Sequence, residues 1–168
     1  TSIVNPNATG EQAAADVNTI GSPETYIGYA KARNFVSPQT AHDQAAMFTI
    51  PSGMLDANQW GLTGSWTRGS DSATLGAAGG TIRFRFHARD LHLVLGPAAN
   101  GHPVRYRVSI DGHAPGAAHG VDTDANGMGV VRENRLYQLI RQQGAIGDRT
   151  FEIEFLDPGV QAFSFTFG

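Results

Sequence analysis

Cysteine is absent from the 168 residues. Thiol catalysis, disulfide cross-links and thiolate metal sites are therefore excluded. No apolar run approaches the ~20 residues that a bilayer-spanning helix needs, so the sequence holds no transmembrane segment. Charge is scarce and nearly balanced: 16% of residues are Asp, Glu, Lys or Arg, and the net charge is −3. That balance argues against a nucleic-acid or acidic-membrane binder. Catalytic signatures are missing as well, with no G-x-S-x-G elbow, no H-E-x-x-H pair and no Gly-Lys-Ser/Thr phosphate loop. His87 and His92 stand five residues apart and would face opposite sides of one strand, while His113 and His119 keep no standard ligand spacing. The sequence reads as a non-enzyme.

What the chain does contain is turn and strand chemistry: 21 Gly, 8 Pro and nine Phe, with 40% hydrophobic residues. One domain with its own core suits this length. Residues 81–96 organise the rest. Ile82, Phe84, Phe86 and Ala88 alternate with Arg83, Arg85 and His87, then Leu91, Leu93 and Leu95 begin a second period-two run. Val104, Tyr106, Val108 and Ile110 alternate with Arg105, Arg107 and Ser109 before an Asp111-Gly112 turn. Phe151, Ile153 and Phe155, then Phe163, Phe165 and Phe167, flank Asp157-Pro158-Gly159 and read as a hairpin. Shorter strands are expected near residues 26–27, 47–50, 59–68, 71–75 and 130–133, and residues 135–141 read as strand in this company. Eight to ten such strands predict an all-β, antiparallel jelly-roll β-sandwich. The predicted core is Ile82, Phe84, Phe86, Leu93, Leu95, Val108, Ile110, Phe151, Ile153, Phe155, Phe163 and Phe165.

The chain starts at Thr1 without Met or a signal segment and ends on a strand pattern, which looks like a cut domain. Residues 1–22, small and polar, are expected to be a linker from a preceding domain, and residues 23–168 the sandwich. Residues 10–18 have the pattern for two helical turns, and Asn7-Ala8-Thr9 fits a glycosylation sequon.

Several stretches together carry a family likeness: ETYIGYAKARNF, NQWGLTGSWTRG, IRFRFHARDLHLVLGP, IDGHAPGAAHGVD, RLYQLIRQ and TFEIEFLDPGVQAFSFTFG. They resemble the C-terminal region of DipZ-type proteins, bacterial membrane-anchored thiol–disulfide proteins. In those proteins a thioredoxin-like domain precedes a domain similar to carbohydrate-binding modules. The resemblance implies a carbohydrate-binding-module-like jelly roll, a periplasmic or extracytoplasmic setting and a non-catalytic role beside a thioredoxin-like domain of the same full-length chain. Its redox chemistry cannot be carried over, because the Cys-x-x-Cys pair is absent here. Two roles stay open: a module that binds carbohydrate or another cell-envelope ligand, and a structural or protein-interaction domain that orients or oligomerises the redox domain.

Three residue patterns bear on a site. Asp122-Thr123-Asp124-Ala125-Asn126-Gly127, with Glu133 six residues on, matches the spacing of a calcium loop, whose oxygens sit at alternate positions around a Gly turn. Calcium would be held by Asp122, Asp124 and Asn126; the other reading is a plain acidic turn. Arg83, Arg85, His87, Arg105 and Arg107 share an outward register, either as a basic stripe for an acidic ligand or as a face paired with Glu152 and Glu154. Among Tyr26, Tyr29, Trp60, Trp66, Tyr106 and Tyr137, core packing suits Trp66 and Tyr106, whereas Trp60 and Tyr137 are expected to be exposed. A ligand site is accordingly expected from Trp60, His87, Arg107, Asp111, His119 and Tyr137, provided that these side chains converge.

Overall fold

The computed structural model describes residues 14–168. The sequon at residues 7–9 and the start of the 10–18 segment lie outside them. Among the described residues the fold is all-β. The strands are β1 (Thr25–Tyr26), β2 (Ala45–Phe48), β3 (Trp60–Arg68), β4 (Ala73–Leu75), β5 (Thr81–Phe86), β6 (Asp90–Gly96), β7 (Val104–Ile110), β8 (Met128–Val131), β9 (Arg135–Arg141), β10 (Arg149–Phe155) and β11 (Gln161–Phe167). They form one antiparallel sheet in the order β8-β7-β10-β5-β3-β4-β11-β6-β9, with β1 on β11 and β2 on β3.

This sheet curls back on itself. Trp60 to Thr63 pair with β5, while Trp66 to Arg68 pair with β4, so β3 belongs to both halves. The handover falls at Gly64, whose φ of +98° and whose missing Cβ, which would lie 2.8 Å from the Gly80 Cα, both require glycine. Side chains of the two halves meet across the interior. Phe84 on β5 lies 4.8 Å from Phe165 on β11, Trp66 lies 6.0 Å from Phe155, and Tyr106 on β7 lies 6.4 Å from Tyr137 on β9, measured between ring centroids.

Period-two alternation becomes burial at every predicted core position but one. Phe163 is only partly buried. Ala162 pairs with Leu95 and Ser164 with Val94, which leaves Phe163 as an extra residue. Such a bulge re-aims a side chain and inverts the alternation on one side of it. A second correction concerns pairing. β10 and β11 are not a hairpin: β10 pairs with β5 and β7, whereas β11 pairs with β4, β6 and β1. The turn at residues 157–159 carries the chain from one half to the other. The same holds for β5 and β6, consecutive in sequence but in opposite halves. Alternation reports which face is buried but not which strand is the neighbour.

Candidate functional site: an aromatic groove at a β-bulge

The residues expected to form a ligand site do not converge. Trp60 is fully buried, its indole N–H donates to the Arg33 carbonyl at 2.8 Å, and its ring packs on Phe35. Tyr137 is equally buried, and its hydroxyl donates to the Glu133 carbonyl at 2.7 Å. Both large rings are worth more in the interior than at a surface, which corrects the expected exposure. Arg107 projects from β7 in one half, while His119 bridges Ile140 on β9 in the other. His87 and Asp111 share the outer face of the β7-β10-β5 half, but each is engaged. His87 Nδ1 lies 2.7 Å from Asp148, and Asp111 accepts the Thr150 amide at 2.8 Å and the Arg149 guanidinium at 2.5 Å.

The basic stripe is a paired face. With β10 between β5 and β7, Arg83 meets Glu152 at 2.8 Å, Arg107 lies 3.9 Å from Glu154, and Arg85 lies 3.7 Å from Asp111. Arg105 grips Asp157 at 2.8 and 2.9 Å, which holds that carboxyl well below its ordinary value, at about 2.

The acidic loop is also committed elsewhere. Asp122 receives Arg135 at 2.8 and 3.1 Å and the Gln138 amide at 2.7 Å, while Asp124 Oδ1 accepts the Asn126 and Met128 amides, each at 2.9 Å. Glu133 pairs with Arg135. Among the described residues no three His, Cys, Asp or Glu side chains are grouped to hold a metal ion. In this arrangement these oxygens hold a turn together.

A concavity lies elsewhere, at the bulge of β11. Phe163 and Ser164 line it from β11, Tyr26 from β1, Lys31 from the following segment, and Ser70 and Asp71 from the turn after β3. Its volume is about 260 Å³. Several bonds fix its walls. The Ile27 amide donates to the carbonyl of the bulged Phe163 at 2.9 Å, and Tyr29 and Ala30 donate to Gly69 and Ser70 at 3.0 and 3.1 Å. Arg68, buried over the Phe35 ring at 3.8 Å, donates from Nε to the Ile27 carbonyl at 2.8 Å. Its burial lowers its pKa to about 10.

Tyr26 retains 38% of its surface. Its hydroxyl donates to Glu24 at 3.0 Å, and that carboxylate raises its pKa and keeps the ring neutral. Lys31 Nζ stands 5.7 Å from the ring centroid. The groove thus offers two aromatic surfaces, a cation, a carboxylate and hydroxyls. Sequence reasoning had Tyr26 among the stacking candidates but placed Phe163 in the core.

A family described as "Thioredoxin like C-terminal domain" matches residues 22–168. The chain belongs to this family. Its similarity extends to Protein DipZ of Mycobacterium bovis and Protein DipZ of Mycobacterium tuberculosis, each 28% identical over 153 residues. Those residues make up 88% of this chain and 18% of either relative, so the chain spans under a fifth of their length.

Proposed function

We propose that this chain is a non-catalytic accessory domain of an extracytoplasmic thiol–disulfide protein, and that it binds a glycan of the cell envelope in the Tyr26–Phe163 groove. In this reading the curled sheet is a jelly roll of the carbohydrate-binding-module type, and residues 1–22 link it to a thioredoxin-like domain. The observation that carries the glycan is the bulge. An aromatic that should be buried by its position in the alternation is instead turned out beside an exposed tyrosine, among hydroxyl and carboxylate groups.

Aromatic faces cover the apolar faces of sugar rings, while Ser70, Asp71 and Ser164 supply the hydrogen bonds that a polyhydroxylated ligand needs. At about 260 Å³ the groove falls just below the roughly 300–1,000 Å³ of small-molecule pockets, which suits one ring of a longer chain. Family membership supports the accessory role, because the DipZ relatives extend far beyond the region matched here. Burial of Trp60 and Tyr137 leaves Tyr26 as the ring best placed to stack.

A glycan array followed by calorimetric titration tests this reading. Binding of a glycan that disappears in Tyr26→Ala and Phe163→Ala, with cooperative melting of both variants above the assay temperature, is the expected outcome. Absence of any glycan ligand, or binding that survives both substitutions, overturns it.

A further inference from the structure

A second concavity lies at the other bulge of the same half. On β9, Ile140 faces Leu91 and Gln138 faces His92, which leaves Leu139 without a register partner. Residues 119–122 are laid against this edge. His119 bridges Ile140, the Gly120 amide donates to the Leu139 carbonyl at 2.9 Å, and the Asp122 amide donates to the Gln138 carbonyl at 3.0 Å. Only glycine permits so close an approach, since a Cβ on Gly120 would lie 2.2 Å from the Gln138 carbonyl oxygen. Two side chains clamp the rung in place: Asp122 through Arg135, and Thr123, whose hydroxyl donates to the Leu139 carbonyl at 3.0 Å.

Between rung and strand is a half-enclosed pocket of about 130 Å³, lined by His119, Gly120, Val121, Gln138, Ile140 and Arg141. Val121 and Ile140 make its apolar part. Its polar part is underused. The Gln138 side-chain amide and Arg141 Nη1 make no hydrogen bond among the described residues. His119 donates from Nδ1 to the Gly120 carbonyl at 2.7 Å and has Nε2 left over.

Arg141 is the charged side chain in the pocket lining, and the nearby Asp122 carboxylate is paired with Arg135 at 2.8 Å. Buried Asp90 accepts Arg89 at 3.0 and 2.9 Å and Arg141 at 2.9 and 3.3 Å. Arg141 thus shares the Asp90 carboxylate with Arg89, on which Asp16 also acts at longer range. Asp90 also fixes the plane of the Arg141 fork, and a fixed fork at a half-enclosed wall selects a planar anion.

We propose that this pocket binds a small carboxylate with a short apolar tail, its oxygens on Arg141 and Gln138 and its tail on Val121 and Ile140. The site is separate from the aromatic groove and does not depend on glycan binding there.

The test is a two-dimensional 1H–15N titration of the chain with sodium butyrate, alongside the neutral isostere butyramide. Butyrate is expected to give saturable shifts at the Gly120 amide and the Gln138 side chain, and butyramide none. Gln138→Leu, which removes no hydrogen bond from the folded chain, should weaken butyrate by about tenfold, the loss of one charge-assisted bond. Arg141→Lys keeps the charge but loses the fork and should weaken it as well. Equal shifts from both compounds, shifts reproduced by sodium chloride, unchanged affinity in both variants, or no saturable shift with butyrate would each overturn the proposal.

Discussion

The outer faces of the two sheet halves differ in residues and in finish: Arg and Glu rows cover β5, β10 and β7, whereas His92, Val94, Gln138, Gln161 and Phe163 face outward on β6, β9 and β11. On β5, β10 and β7 the register is unbroken, so Arg83, Arg107 and Arg85 fall opposite or diagonal to Glu152, Glu154 and Asp111 and the charges close on one another. Either side of β6 the register slips once on each neighbour, at Leu139 on β9 and at Phe163 on β11. The two concavities lie at those two slips. Regular pairing uses up its polar groups, whereas a single extra residue lifts a side chain out of the ladder and leaves space and donors beside it.

The sharpest contrast is between two phenylalanines two residues apart. Phe165, fully buried against Phe84 and Phe151, should lose about 3–5 kcal/mol on substitution by Ala. Phe163→Ala should lose under ~1.5 kcal/mol, because its ring is only partly buried. Urea denaturation of the two variants measures the difference directly. Equal losses would mean that Phe163 is core and that the bulge does not re-aim it.

Next in size is Asp90. Asn at this position leaves two guanidiniums without their carboxylate, and about 2–4 kcal/mol should be lost, somewhat under the full cost of orphaning buried charges because both arginines touch solvent. Arg89 and Arg141 outweigh burial and lower the Asp90 pKa. Its folded pKa lies below the ~3.9 of an unfolded Asp, so its contribution is fully present above that value and is lost as pH falls through the folded pKa. Asp111 and Asp157 are depressed in the same direction, Asp157 to about 2. Melting temperature should therefore fall between about pH 5 and pH 2, and Asp90→Asn should flatten that slope. A slope unchanged in the variant would remove Asp90 from the account.

The smallest effect belongs to the regular face. A double-mutant cycle on Arg83 and Glu152, both about one-third exposed, should give ~0.2–1 kcal/mol that shrinks in 1 M salt. A coupling above ~2 kcal/mol would show that this face is more than a solvated ladder.

The regular face was legible in the sequence because it obeys one rule throughout. Alternation in residues 81–86, 104–110 and 151–155 assigns both the buried side and the outward Arg and Glu rows, and it carries both readings of the stripe. The bulged face was not legible. Phe163, Phe165 and Phe167 alternate as evenly as any strand, and only the pairing of Ala162 and Ser164 with adjacent residues of β6 reveals the slip. The acidic loop was ambiguous for a related reason: Asp and Asn at alternate positions suit a cation and a turn equally well, and Arg135, the partner of Asp122, is 13 residues away. Trp60 lay at the edge of a polar stretch, but the segment that covers it, with Arg33 and Phe35, comes from far back in the chain.

Sharing β3 between the halves has a consequence for how the molecule comes apart. β8 and β9, at the two ends of the strand order, are joined by only the residues between Val131 and Arg135. The ribbon is therefore tied in the middle by a common strand and at its extremities by a short link. Neither half can peel away without stretching that link or stripping β3 of the partners that the other half requires. Fraying from a sheet edge, the usual low-energy opening of β proteins, leads here into a link of three residues, so the two faces are expected to unfold as one cooperative unit.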